Sequence, residues 1–366
     1  MRKKNNLFGL ILVGLLVFNC AYYNTFYNAK KSFEKIEKNY EETDNANTQE
    51  YKAVIKQSEK LIENYPDSKY IPEAKLIIIV SYYRMKNFIK AQQLIQEFKK
   101  DYQNSSFFNE VVYYEAMIHF SSGNYENLII IANEMLESAP SSIWTYRVVE
   151  KLIEKDIDSK KYNDARDMIN RFFEINTDIK SIEINNGLNY LLLKLYYVTE
   201  DYENAKKVYR KLLSSRKKMS EETIYNITKI YSDVLKKNGE ASKAYKVLKE
   251  LNSDLISINY RTKSKINMFA AYAGIDSISA VRSIRELENY AESFASNVNT
   301  KEFVAECYYL IAEIYLNEMD DFNKSITYLE NIKKTYGTTF FATKADFLLD
   351  KINKLRNSSE GNSSQE

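Results

Sequence analysis

The feature that most constrains the fold is a spacing. Four stretches follow one template: "KNFIKAQQLIQEFKKDYQNS", "GNYENLIIIANEMLESAPSS", "KKYNDARDMINRFFEINTDI" and "EDYENAKKVYRKLLSSRKKM". Each has a polar turn, an aromatic (Phe88, Tyr125, Tyr162, Tyr202), and a small or apolar residue three positions on (Ala91, Leu128, Ala165, Ala205). The first two steps are 37 residues and the third is 40. Weaker copies follow in "NGEASKAYKVLKEL", with Ala244, and "DDFNKSITYLENIKKTYG", with Phe322 and Ser325. "YKAVIKQSEKLIENYP" is the second half of an earlier copy, and a degenerate one is expected over about Arg261 to Val298. Periods of this length belong to arrays whose units bury their apolar faces against their neighbours. Apolar residues recur at spacings of three and four, and eight Gly and three Pro in 366 residues are too few for the turns of a sheet protein. The chain reads as all-α.

The pattern resembles the tetratricopeptide repeat, two antiparallel helices in which the turn, aromatic and Ala open the second helix and Pro closes it. The resemblance implies that the Ala sits where two helices cross closely and that the aromatic fills the gap at the turn. Pro66 and Pro140 stand twelve residues after Val54 and Leu128, where the family places its Pro; elsewhere the slot holds Gln103, Thr177 or Gly337. "NYPDSKYIPEAKL" and, near the C-terminus, "TYGTTFFATKADFLL" are similar to the repeats of BamD-type envelope lipoproteins, which serve β-barrel assembly at the outer membrane. This chain is longer, with about eight repeat units against about five. The expectation is an α-solenoid of about seven to eight repeats over 20–356, ending in a capping helix. That helix has Phe341, Ala345, Leu348, Leu349, Ile352 and Leu355 on one side and Lys344, Asp346, Lys351 and Lys354 on the other. A disordered tail is expected over 357–366.

The N-terminus reads as a targeting signal. Arg2, Lys3 and Lys4 precede an apolar stretch from Leu7 to Phe18, too short to span a membrane, and Cys20 follows. This arrangement resembles a bacterial lipoprotein signal (1–19) cleaved before a lipidated Cys20. The alternatives are an ordinary signal peptide or an uncleaved anchor with an incidental thiol. Ala21 after Cys20 fits sorting to the outer membrane. Tyr22, Phe26, Ala29, Phe33, Ile36 and Tyr40 form one helical stripe, so the first repeat begins directly behind Cys20. Tyr23 and Tyr27 lie beside the stripe, to pack on that repeat or to rest at the membrane interface.

The sequence carries no catalytic, metal or cofactor signature. It has one histidine, His119, in a slot where Tyr82 and Tyr196 occur, and no nucleotide-binding or zinc motif. Cys307, in "VAECYYLIAEIY", reads as core. Formal net charge is +2, and loss of the first 19 residues removes three cations, so nothing marks a nucleic-acid partner. Tyr is abundant, at 31 residues. In tetratricopeptide repeats the first helices line a concave groove for partner peptides. Carried over by alignment, that groove holds Leu76, Val80, Tyr83 and Arg84, then Tyr113, Tyr114 and Met117, then Tyr190, Lys194 and Tyr197; for each of them packing between repeats is the alternative. The sixth-repeat positions, Asn226, Lys229, Asp233 and Lys236, are more polar. The function expected is a non-enzymatic, lipid-anchored scaffold at the periplasmic face of the outer membrane. It would bind other envelope proteins and no small-molecule substrate, with barrel assembly as the process. The alternatives are a cell-envelope or division scaffold and a SusD-type nutrient-binding lipoprotein; one Trp and eight Gly argue against the latter.

Overall fold

The computed structural model describes residues 26–41, 43–177, 179–295 and 297–362, with the backbone alone at 298 and 355–362. The expected signal peptide, Cys20, Tyr22 and Tyr23 lie outside the described residues. Among these residues all regular structure is helical. After α1 (26–41) come α2 (Thr48–Asn64), α3 (Ile71–Arg84), α4 (Phe88–Asp101), α5 (Phe108–Ser121), α6 (Tyr125–Ser138), α7 (Ile143–Asp158) and α8 (Tyr162–Ile175). Then follow α9 (Ile182–Val198), α10 (Tyr202–Ser214), α11 (Glu221–Lys237), α12 (Ala241–Asp254), α13 (Ile258–Ala273), α14 (Ser277–Phe294), α15 (Lys301–Asn317), α16 (Phe322–Thr335) and α17 (Phe340–Asn362).

The stretch expected as one array, 20–356, contains the boundary between two compact units, Met1–Ile184 and Asn185–Glu366. Within the first, each helix from α2 to α7 packs on the next, and α3, α5 and α7 also pack on one another in turn. Within the second, each helix from α10 to α16 packs on the next, and α11, α13, α15 and α17 form the same succession. Odd-numbered helices are therefore the first helices of hairpins and even-numbered ones the second. The degenerate copy is present as α13 and α14.

The turn-aromatic-small template is a folding device. Phe88, Tyr125, Tyr162, Tyr202 and Phe322 are each the first residue of a second helix. Two residues earlier, Lys86, Gly123, Lys160, Glu200 and Asp320 all have φ between 53° and 72°, the left-handed conformation that reverses the chain. Between them Asn87, Asn124, Asp201 and Asp321 cap the helix, each side-chain oxygen accepting from the backbone N–H three residues on, at 3.0 to 3.3 Å. Lys161 leaves α8 without a side-chain cap. The small positions Ala91, Leu128, Ala165, Ala205, Ala244, Ala280 and Ser325 are all 0% exposed, so the close helix crossing is common to both units.

The turns between hairpins do not need their Pro. In Tyr65–Ser68, with Pro66, and in Tyr102–Ser105, with Gln103, the Ser N–H donates to the Tyr carbonyl at 3.0 Å. Phe26, Ala29 and Ile36 of the N-terminal stripe are buried, and Phe26 stacks on Tyr70 at 4.6 Å, while Tyr27 is 46% exposed. Cys307 is fully buried, and burial pushes its thiol up, away from reactivity.

Two differences fall at the C-terminus. Ala345, Leu349 and Ile352 pack inward as expected, but Phe340 and Phe347 are exposed, so the outer side of α17 is not wholly polar. The backbone of α17 also runs six residues into the segment expected to be disordered, 357–362.

Candidate interaction surface

The 37-residue period puts equivalent positions of α3, α5 and α7 side by side. One row is Glu73, Glu110 and Arg147; another is Leu76, Tyr113 and Glu150; a third is Val80, Met117 and Glu154. Four of the residues assigned to the groove are not on its surface. Leu76, Val80, Tyr114 and Met117 are 6%, 1%, 6% and 4% exposed and belong to the interior. A first helix packs against its own second helix and against the next first helix, so its apolar arc is wider than one face. Periodicity alone cannot say which part of that arc faces solvent. Tyr83, Arg84 and Tyr113 remain half-buried at the surface.

These three belong to a continuous run of rings and charges. The Arg84 guanidinium lies 4.3 Å from the Tyr40 ring and 5.7 Å from that of Tyr83. It is held by a two-point ion pair, donating to the Glu37 carboxylate from Nη2 at 2.8 Å and from Nε at 3.1 Å. Tyr51 adds a hydroxyl donor to Glu37 at 2.7 Å. Tyr83 meets Tyr114 edge-on at 5.3 Å, Tyr114 meets Tyr113 at 5.2 Å, and Tyr113 meets Trp144 at 5.2 Å. The Arg147 guanidinium covers Trp144 at 4.9 Å. The run therefore crosses α1, α3, α5 and α7 as one ladder, with the buried Tyr114 as the rung between the half-buried Tyr83 and Tyr113 and each ring braced by the next.

Acidic groups border the ladder. Burial pushes the Glu110 carboxyl up to about 7; Arg147 pulls it back, while Glu73 and Glu37 push it further. Burial also raises Glu150, against the opposing effect of the Tyr146 hydroxyl, which donates to it at 2.5 Å. Glu110, Glu150, Trp144 and Arg147 were not assigned to the groove from sequence. The signal was present: Trp144 stands 37 residues after Phe107 and 74 after Tyr70, all aromatic and all just before or at a helix start.

The second unit presents a different face. On α11, Asp233 binds Lys229 at 2.8 Å and Lys236 at 2.9 Å. Burial opposes all these charges, but the two ammonium groups hold the Asp233 carboxyl below its usual range. In the interior, the buried Asn267 of α13 donates to the buried Glu306 carboxylate and Tyr225 hydroxyl, both at 3.2 Å. Burial raises the Glu306 and Glu313 carboxyls of α15, with Lys229 the main counterweight for the former and Lys236 for the latter. Tyr190, Lys194 and Tyr197 lie on α9 of this unit, half-buried, with Lys194 over Tyr190 at 4.8 Å and Lys237 over Tyr197 at 4.7 Å. His119 is half-buried in the last turn of α5. Among the described residues no group of three or more His, Cys, Asp or Glu is arranged to hold a metal ion, and no helix is long and apolar enough to cross a membrane.

Two family profiles match. The outer membrane lipoprotein family (YfiO) matches residues 33–124, from α1 to the end of the α5 hairpin turn, and the tetratricopeptide repeat matches residues 306–339. No curated protein matches the chain. Solved structures with a similar course include a tetratricopeptide repeat protein from Parabacteroides merdae, 13% identical over 76% of this chain and 99% of that one, with a TM-score of 0.44. A Rap protein complexed with competence and sporulation factor is 12% identical over 94% of each chain, with a TM-score of 0.49. Yeast Tom70 is 13% identical over 85% of this chain and 60% of its own, with a TM-score of 0.45. The chain is an all-α array of tetratricopeptide-like hairpins whose N-terminal repeats resemble outer membrane lipoproteins.

Proposed function

We propose that the protein is a non-enzymatic interaction scaffold, anchored by lipid on Cys20 at the periplasmic face of the outer membrane. Its first unit binds a partner on the ladder from Tyr40 to Arg147. The observation that carries this reading is a coincidence of location: the outer membrane lipoprotein match, 33–124, covers the repeats that bear Glu37, Tyr83, Arg84, Glu110 and Tyr113. Rigid aromatic groups and a buried-edge arginine are the side chains that anchor protein interfaces. β-Barrel assembly is the process we assign, from the same likeness and from the "NYPDSKYIPEAKL" turn.

The test is cross-linking and pull-down from native membranes. Wild type is compared with Tyr83→Ala/Tyr113→Ala/Trp144→Ala and with Lys229→Ala/Asp233→Ala/Lys236→Ala, each first shown to be folded by circular dichroism. Loss of the partner only in the first variant, with barrel-assembly proteins among those captured by wild type, supports the reading. Loss only in the second moves the binding surface to the other unit. Cys20→Ser should release the protein from membranes; fatty-acid label persisting on that variant would rule out Cys20 as the acylated residue.

A further inference from the structure

The acidic groups along the ladder are not equally matched. Glu37 is paired with Arg84 at 2.8 Å, Glu73 with Lys30 at 2.7 Å, Glu154 with Lys151 at 2.9 Å, and Glu183 with Arg147 at 3.9 Å. Among the described residues no ammonium or guanidinium lies within 4.0 Å of Glu110 or Glu150. Both are half-buried on successive first helices, α5 and α7, and both lie within the field of Arg147, whose own charge is already drawn to Glu183 and the Trp144 ring. Partly desolvated carboxyls without a cation in direct contact are costly to keep ionised, and an incoming cation relieves that cost.

We infer that the occupant of this face is a basic amphipathic protein segment, whose apolar side chains lie on Tyr83, Tyr113 and Trp144 and whose Lys or Arg residues pair with Glu110 and Glu150. The inference rests on the reading of the ladder as the interaction surface and names the chemistry of the partner. Charge complementarity selects this class: an acidic segment would leave both carboxyls facing like charge, and anionic lipid or nucleic acid would do the same.

A pH dependence follows from the geometry. The groups facing Glu110 are Glu37 from α1, Glu73 from α3 and Arg147 from α7; those facing Glu150 are Glu154, Lys151 and Arg147 on its own helix and the Tyr146 hydroxyl. With Glu110 raised to about 7, a cation binds its ionised form, so binding strengthens as pH rises through neutrality and a proton is released.

The chain's single tryptophan, Trp144, sits in the proposed contact and reports on it directly. The experiment follows Trp144 emission in the full chain on titration with a synthetic amphipathic peptide of Leu and Lys at helical spacing. A counterpart in which every Lys is Glu serves as control. At pH 8 the Lys peptide should shift the emission saturably and the Glu peptide should not. Glu110→Gln and Glu150→Gln should each weaken the Lys peptide roughly tenfold, the scale of one charge-assisted contact. Glu110→Gln should also flatten the rise in affinity between pH 5.5 and pH 8. The inference is overturned if the Glu peptide binds as tightly, if neither Gln substitution weakens the Lys peptide, or if no peptide alters Trp144. These failures are separable from failure of the surface itself. A membrane partner lost from Tyr83→Ala/Tyr113→Ala/Trp144→Ala keeps the surface and discards only the charge class; a partner retained by that variant discards the surface.

Discussion

The two units are built from the same hairpin and differ in what their first helices show to solvent. In the first unit Tyr83, Tyr113 and Trp144 form a ring ladder with two carboxyls left over. In the second, Asp233 is clamped between Lys229 and Lys236 at the half-buried surface of α11, while Asn267, Tyr225 and Glu306 form a buried polar network. The shared part is interior: Ala165 and Ala244 are both fully buried at a helix crossing. Positions that fix the fold are those with no room to vary, and the outward positions of the same helices are free to take on different chemistry. Fold and surface chemistry therefore sit on different residues of one repeat.

The largest effect should come from the shared part. Ala165→Trp and Ala244→Trp should each destabilise by about 3 kcal/mol or more, because a large ring at a close crossing forces the helices apart. Lys161→Glu, beside the first site but outside the crossing, should stay within about 0.5 kcal/mol. Thermal melts compare the three. A large loss in one unit only would mean that the hairpins are not equivalent.

The second effect should divide the units. Asp233→Ala removes the carboxylate that binds both Lys229 and Lys236 and leaves them only the more distant Glu306 and Glu313, at a site where the Asp233 side chain is only 16% exposed. The expected loss is about 2 kcal/mol, below the 3–5 kcal/mol typical of a fully buried pair because the two lysines keep contact with water. Asp233→Ala/Lys229→Met should recover part of it. Urea denaturation measures both; an unchanged midpoint for Asp233→Ala would demote the cluster to a solvated surface pair.

These two predictions mark what was legible in the sequence. The crossings and the starts of the second helices were readable because a turn, an aromatic at the first helical position and a small residue three on are local signals repeated at a fixed step. Even the copy at α13 and α14, which has Ser277 in place of the aromatic, keeps Ala280 at the crossing. The surface was less readable. Tyr83, Arg84 and Tyr113 lie half-buried at the surface, whereas Leu76, Val80, Tyr114 and Met117 turn inward because helical periodicity gives an apolar arc without its direction. Glu150 stands one 37-residue step after Tyr113 and Glu110 one step after Glu73, but nothing in the sequence marks either as lacking a cation in contact. Their character comes from which cations their neighbours have already engaged, and that is a property of the assembled helices.

A third effect is pH-dependent and belongs to the first unit. Glu110 has an ordinary value of 4.5 and a folded value of about 7. Below 4.5 both folded and unfolded chains hold the proton and there is no cost. Between 4.5 and 7 the unfolded chain ionises first, so stability falls as pH rises, and above 7 the loss is constant. The full shift corresponds to about 3.4 kcal/mol. Solvent screening of a half-buried group reduces this to about 1.5 kcal/mol. Glu110→Gln should therefore stabilise the protein by about 1.5 kcal/mol at pH 8 and leave it unchanged at pH 4. Denaturation at the two pH values checks this. Equal effects at both would show that Glu110 is ionised normally and that the acidic border of the ladder is already satisfied.

The smallest effect tests whether the turn device itself is interchangeable between copies. The turn into α8 reads Lys160-Lys161, where the turn into α6 reads Gly123-Asn124. Lys160 has φ of 60°, a conformation that costs a residue with a Cβ, and Gly123 has φ of 72° with nothing within 4 Å of where a Cβ would stand. Asn124 accepts from the Asn127 N–H at 3.3 Å, while Lys161 offers α8 no acceptor. Writing the earlier turn into the later one, Lys160→Gly/Lys161→Asn, should relieve the left-handed strain and supply the missing cap. The extra freedom that Gly gives the unfolded chain offsets part of the first gain. A net stabilisation of about 1 kcal/mol is expected, most of it from the cap. Thermal melts of the single and double variants separate the two contributions. If Lys161→Asn alone gives nothing, the first turn of α8 is satisfied by water and the Asn or Asp of the other copies sets the geometry of the turn more than the stability of the helix it opens.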